Sequence, residues 1–254
     1  MSAAAKGLQV TILDRYGPFA QIYFAKPLYP RRVGRLPIQF SKAPVGRERL
    51  SRERVAELQR EPVIEAAIDV FAKRGFREAK VEHIADAAGI SVGSIYSHFE
   101  GKEDCLLRTH AAIVAEARDR IAAAVPRDGD WAAQACAGIH ALLAYCAAEP
   151  RRARVALIEV QTGGPEAARR YSALIDEATE FLRRGRDLGQ GASLPSTFEE
   201  ATASGLAWLL QERLAYGDPG DLVALFREIA TIVIEPYLGA EQADVRIQGF
   251  VPPP

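Results

Sequence analysis

From Ser51 onward, apolar positions recur along the chain at helical spacing. Val63, Ala67, Val70 and Phe71 share one face, with Ile64 and Ile68 beside it, and the run stops at Lys73-Arg74-Gly75, a cation-rich last turn followed by a glycine. Val81, Ile84, Ala85 and Ala88 then repeat the three-and-four spacing until Gly89 interrupts it. Glycine enters the left-handed backbone region without steric cost, so Gly89-Ile90-Ser91 suits a tight turn in which Ser91 caps a helix beginning near Val92. The pattern predicts helices over 60–74, 80–88 and 92–99, with Ile64, Phe71, Ile84, Ile95 and Phe99 as their shared core. Ala85, Gly89 and Ile95 fall where a helix-turn-helix needs a small crossing residue, a left-handed turn and an apolar pin.

The pattern continues as helix. Residues 102–124 open with Glu103 and Asp104, which favour a helix N-terminus, and carry Leu106, Leu107, Ile113, Val114 and Ile121. After a turn at 126–130, helices are predicted at 131–148, 151–161, 166–188, 197–216 and 219–237, separated by Pro150, by Gly163-Gly164-Pro165 and by a loop at 189–195. The fold class read from the pattern is all-α: a three-helix helix-turn-helix domain followed by a larger helical domain, for which the family resemblance given below implies ligand binding and dimerisation. No segment shows a glycine-rich phosphate loop or the strand-to-helix alternation of nucleotide-binding folds. The expected division is an N-terminal extension over 1–50, a reading domain over 51–108 with its motif at 80–99, a helical domain over 109–240 and a C-terminal tail over 241–254.

Composition narrows the class without changing it. With 254 residues, 48% of them hydrophobic and 26% charged, the chain can bury one or two cores. No run approaches eighteen apolar residues and the N-terminus has no continuous apolar core of a secretory signal, so no membrane association and a cytoplasmic location are expected. Cys105, Cys136 and Cys146 are widely spaced and odd in number, which reads as buried free thiols rather than a disulfide framework. No metal or cofactor is expected: His83 and His98 lack a completing ligand cluster.

Charge is unevenly spread. Residues 1–54 carry eleven Lys/Arg against three Asp/Glu, residues 55–125 nine against twelve, and residues 126–254 twelve against eighteen. The positive surplus therefore precedes the presumed reading head. Pro18, Pro27, Pro30, Pro37 and Pro44 interrupt that basic extension, which reads as a mobile, solvated tail; the functional alternative is an arm that places Arg31, Arg32, Arg35, Lys42, Arg47 and Arg49 near phosphates.

The run from Ala66 to Phe76, the run from Ile84 to Phe99 ending in Gly93-Ser94-Ile95-Tyr96-Ser97-His98-Phe99, and Gly101-Lys102-Glu103-Asp104 resemble the tetracycline-repressor (TetR) family of bacterial regulators. The resemblance covers about residues 60–108. It implies an all-helical homodimer with an N-terminal DNA-binding domain and a larger C-terminal domain that holds an effector pocket and the dimer interface. The sequence departs from the family where a threonine usually opens the second helix, here Lys80, and where a serine often caps the fourth, here Gly101.

In a docked helix-turn-helix the first residues of the second helix face base edges while flanking positions hold phosphates. That places Ser91, Val92, Gly93 and Ser94 at the bases. None makes a bidentate contact, so readout should rest on hydroxyls, a Val contact to a thymine methyl and close backbone approach at Gly93. Tyr96 and His98 resemble the family's phosphate-contacting positions, with Lys80 and Lys102 adding charge at the fringes. Trp131, His140, Tyr145, Cys146, Glu159, Tyr171 and Trp208 are the candidate ligand-binding residues of the second domain. The resemblance places dimerisation on the last two predicted helices, and a twofold dimer implies a near-palindromic double-stranded operator. The expected function is a DNA-binding transcriptional regulator, a repressor released by a small-molecule effector. The competing reading is a helical small-molecule-binding or protein-interaction module without operator reading, which the acidic reading domain keeps open. An enzyme has no nucleophile-base pair, metal set or phosphate loop to support it.

Overall fold

The computed structural model describes residues 52–252, with side chains from 61 onward. The expected basic extension at 1–50 lies outside the described residues. Among those described there are ten α-helices, several short 3-10 turns and no strands. The first four are α1 (Arg52–Glu78), α2 (Val81–Ala88), α3 (Val92–Tyr96) and α4 (Lys102–Ala124). Then come α5 (Trp131–Ala148), α6 (Pro150–Leu157), α7 (Pro165–Arg183) and α8 (Phe198–Tyr216). The last two are α9 (Phe226–Leu238) and α10 (Ala240–Gln248).

The first three helices close over the residues that the periodicity singled out. Phe71, Ile84, Ile95 and Phe99 are fully buried, with Val63, Ala67 and Ile68, while Ile64 packs half-buried at the edge. Burying side chains of this size stabilises a unit by about 2 kcal/mol each. α1 does not run straight into its end: Gly75 leaves helical geometry at φ 74 and ψ 154, and the chain makes one further turn to Glu78. α4 then crosses from this unit into the rest of the molecule without a break. The expected domain boundary at 108/109 therefore lies inside one helix.

Several predicted helices are shorter than their patterns. The stretch 151–161 divides into α6 and a 3-10 turn at Glu159–Thr162, and 166–188 into α7 and Arg184–Asp187. The stretch 219–237 opens as a 3-10 segment, Pro219–Leu225, capped by Asp218 on the Gly220 amide (2.9 Å), before α9 starts. Proline at the first position and glycine at the second set the chain direction but hold a regular α-turn poorly.

The region expected as a C-terminal tail, 241–254, instead carries α10. Ala243 and Ile247 lie one turn apart and are buried, and Phe250 continues the same face to pack, tilted by 39°, against Phe226 with ring centres 5.0 Å apart. The i, i+4, i+7 spacing of those residues is the signal for it. α5 is 18 residues long and apolar enough in composition to cross a bilayer, contrary to the reading that no run approaches that limit. Its alanines lengthen the apolar run. Half of the helix is buried, and it packs against α4, α6 and α9.

A buried polar knot fixes the far end of the molecule. Glu199 at the start of α8 has no solvent exposure; it accepts from Arg186 Nη2 (2.8 Å) and from the Tyr237 hydroxyl (3.2 Å). Arg186 also donates to the carbonyls of Leu194 and Pro195 (3.1 and 2.7 Å), so the loop between α7 and α8 hangs on one guanidinium.

Candidate nucleic-acid interface

The turn between α2 and α3 is built from backbone conformation that the sequence supplies. Gly89 adopts φ 68 and ψ 30, and the Ile90 amide reaches back to the Ala85 carbonyl at 3.0 Å, closing the end of α2. A Cβ at Gly89 would meet nothing within 4 Å. The demand for glycine is therefore one of backbone geometry alone, worth about 1 kcal/mol. Ser91 caps α3: its Oγ accepts from the Ser94 amide (3.1 Å) and pairs with the Ser94 hydroxyl (2.9 Å).

α3 ends at Tyr96 rather than at Phe99. The Ser97 hydroxyl donates to the Ser94 carbonyl (2.7 Å), and the His98 and Phe99 amides both turn onto the Ile95 carbonyl, which tightens the last turn and swings Phe99 into the core. Ile95 is wholly buried and pins the helix from beneath. Opposite it, Ser91, Gly93 and Tyr96 are exposed, Ser94 and His98 half-exposed, and Val92 leans half-buried against the core. Tyr96 is 56% exposed, so packing does not account for its ring.

Two of the flanking positions have structural work. Lys80 is exposed, and its backbone amide donates to Nδ1 of His83 (3.2 Å). His83, read from the sequence as a plain surface residue, thus supplies the cap that Lys80 cannot. Lys102, expected at the DNA fringe, turns inward. Its ammonium donates to the carbonyls of Phe76 (2.8 Å), Arg77 (3.2 Å) and Ala79 (2.8 Å) and lies 4.4 Å from the Phe76 ring centre. An ammonium has three donors, and all three are occupied. Gly101 has no side chain to cap α4, and Asp104 compensates by accepting from the Glu100 amide at 3.1 Å. Lys73, Arg74, Arg77 and Lys80, around the end of α1, are exposed, and so is Arg108, whose guanidinium stands 5.7 Å from the centre of the Phe99 ring.

The seven candidate ligand residues fall in several different packing environments among the described residues. Trp131 is core: Nε1 donates to the Phe181 carbonyl (3.1 Å) and the ring packs on Tyr237 at 4.7 Å. His140 packs against both Phe226 and Phe250, and Tyr171 accepts from Gln211 Nε2 at 2.6 Å. Tyr145 is buried beneath the Arg120 guanidinium, and burial with the nearby Glu116 pushes its hydroxyl pKa up. Burial raises the Cys146 thiol to about 12, leaving it inert. Trp208 lies on the outer face of α8. Glu159 belongs to a different assembly: it is buried, its Oε2 accepts from the Phe76 amide (2.9 Å), and its Oε1 lies 3.3 Å from Arg154 Nε. Large polar and aromatic residues also serve packing, and a one-dimensional pattern does not separate the two uses.

His110 escaped the sequence reading. It is almost fully buried on α4, bonds the Ala156 backbone of α6, and leaves Nε2 without a partner among the described residues. Its place between Leu106 and Ile113 on an apolar face was the available signal. A cleft of about 320 Å³ lies between the first turns of α5 and the end of the chain, lined by Ala133, Cys136, Val245, Arg246 and Phe250.

Residues 63–109 match the family model of bacterial regulatory proteins, tetR family. The chain is similar to the HTH-type transcriptional regulatory protein RaaS of Mycobacterium tuberculosis, 31% identical over 185 residues that cover 68% of this chain and 80% of that protein. It is also similar to the fatty acid metabolism regulator protein of Bacillus subtilis, 42% identical over 45 residues, or 18% of this chain. The match spans about a quarter of that relative's length (23%). Among solved structures, FadR of Bacillus subtilis in complex with stearoyl-CoA superposes with a TM-score of 0.59 at 20% identity, over 70% of this chain and 98% of that one. At that identity the likeness is one of fold.

Proposed function

The chain belongs to the tetR family of bacterial regulatory proteins, and on that premise we propose that it is a DNA-binding transcriptional regulator acting as a homodimer released from its operator by a small molecule. The observation that carries the reading is the division of α3 into two faces. Ile95 is buried, as is Phe99 just beyond the helix, while Ser91, Gly93 and Tyr96 stand out of a surface that packing has no use for. Small residues at the helix start bring the backbone close to base edges, and Tyr96 supplies a hydroxyl for a phosphate oxygen.

Phosphate charge in this unit is met by Lys80 and the cations at the end of α1 rather than by Lys102, which is committed inside. Few strong base contacts imply that dimer spacing and DNA shape contribute much of the selectivity. Dimerisation through α8 and α9 is supported by exposed apolar side chains on these helices, Tyr216 and Ile232. A twofold dimer of this kind reads a near-palindrome. The site of action is the cytoplasm, where the chromosome is.

Release requires a ligand that binds one arrangement of the reading heads better than the other. The experiment is enrichment of duplexes from a random pool by the full-length protein, followed by gel shift at moderate salt. Enrichment of a palindrome supports the reading; recovery of no preferred sequence overturns it in favour of a helical binding module.

A further inference from the structure

The turn from Gly75 to Ala79 joins α1 to α2 and so sets the attitude of the helix-turn-helix. It is held by two charges of opposite sign, both from outside the three-helix unit. Gly75 leaves the helix at positive φ, which strips the Phe76 amide of its helical acceptor and points it outward. Glu159, from the 3-10 turn after α6, takes that amide at 2.9 Å. On the other side the Phe76, Arg77 and Ala79 carbonyls take the three protons of Lys102 at the head of α4.

The fit is close. A Cβ on Gly75 would stand 3.3 Å from Glu159 Oε2, tighter than ordinary contact. Glu159 is only 5% exposed; Arg154 lies 3.3 Å from its Oε1 and offsets part of its charge, while Oε2 is met by the Phe76 amide, and a buried carboxylate oxygen without its donor is costly, so the position of that amide and that of the carboxylate constrain each other. Other links between α6 and α1 exist: Arg151 pairs with Asp69, and Arg152 Nη2 with Glu65 Oε1 at 2.6 Å. Those lie at the surface, where ion pairs contribute little and are screened by salt. The buried contact is the one that fixes geometry.

We propose that Glu159 is a positioning residue for DNA binding: through the Phe76 amide, the segment after α6 holds the α1–α2 turn, and with it the reading helix, in the attitude that engages the operator. The inference rests on the regulator reading above. It also assigns Glu159, a candidate effector contact in the sequence, to the junction between the two halves. A displacement of the Glu159–Thr162 turn by a bound effector would release the turn at its amide side while Lys102 still holds its carbonyl side.

The test uses the full chain and a duplex enriched by the wild type. Glu159→Ala removes the acceptor, while Glu159→Gln keeps an acceptor oxygen and removes the charge; Glu159→Leu, which fills the space without an acceptor, replaces the alanine variant if that one does not fold. We expect Glu159→Ala to bind the duplex at least tenfold more weakly while still folded at the assay temperature, and Glu159→Gln to remain within about threefold. Hydrogen exchange at the Phe76 amide should be faster in the alanine variant alone. Wild-type affinity in Glu159→Ala, or equal losses in the alanine and glutamine variants, overturns the proposal by itself. Failure of the wild type to enrich any duplex overturns the regulator reading and the proposal together.

Discussion

The ammonium of Lys102 stands 2.8 Å from the carbonyl oxygen of Phe76 and 4.4 Å from the centre of the Phe76 ring. A residue that motif and charge both assign to DNA is thereby a fastener between α4 and the end of α1. Removing it leaves three carbonyls of a tight turn to find other donors. Lys102→Met is expected to cost about 2 kcal/mol in urea unfolding, because bonds to a charged donor are worth more than neutral ones. Lys102→Arg should not restore the loss, since a planar fork does not match three carbonyls gathered around one point. Unchanged stability in the methionine variant would return Lys102 to the DNA surface.

Tyr96 and Ser91 should separate stability from recognition. Tyr96→Phe is expected to leave the thermal midpoint in place and weaken binding of the enriched duplex, because the hydroxyl has no packing role. Ser91→Ala should lose about 1 kcal/mol of stability from the missing cap, and Ser91→Gly a few tenths. Fluorescence anisotropy beside thermal melts reads both quantities; a large melting change in Tyr96→Phe would mark it as structural.

His110 makes stability depend on mild acid. Burial, reinforced by the Arg170 cation, pushes its imidazole down to about 4 from an ordinary 6.5. The unfolded chain therefore takes up the proton first, so the contribution is complete above 6.5 and is lost progressively as the pH falls toward 4. Between pH 7 and pH 5 the wild type should lose about 2 kcal/mol more than His110→Leu. Parallel pH profiles of the two proteins in denaturant would contradict this.

Glu199 acts lower on the pH scale. Burial is the largest single influence and raises its carboxyl, but the bond and charge of Arg186, a backbone amide and the Tyr237 hydroxyl together outweigh it and hold the group below the usual carboxylate range. Its contribution is present above the unfolded carboxylate pKa and disappears as the pH falls through the lower folded one. At neutral pH Glu199→Ala should cost about 3 kcal/mol, since it strands Arg186 and the Tyr237 hydroxyl together, and Glu199→Gln appreciably less. Calorimetric midpoints across the series check it.

By itself, the sequence determined the all-helical class, the position of the helix-turn-helix, the glycine at its turn and the buried pin Ile95. These follow from local rules: three-and-four spacing, a left-handed residue and a serine cap each act within one or two turns of chain. The helix at Ala240–Gln248 was equally local and legible in Ala243, Ile247 and Phe250. Tertiary structure alone decided the placement of Lys102, Glu159 and Trp131, whose partners lie far away in sequence: a lysine expected to add charge at the DNA fringe closes a turn, a glutamate among the candidate ligand residues holds an amide 83 positions distant, and a tryptophan among the same candidates donates to the Phe181 carbonyl. A charged or aromatic side chain declares what it can bond to, but its partner is chosen by whichever buried donor or acceptor the packing of the helices brings within reach.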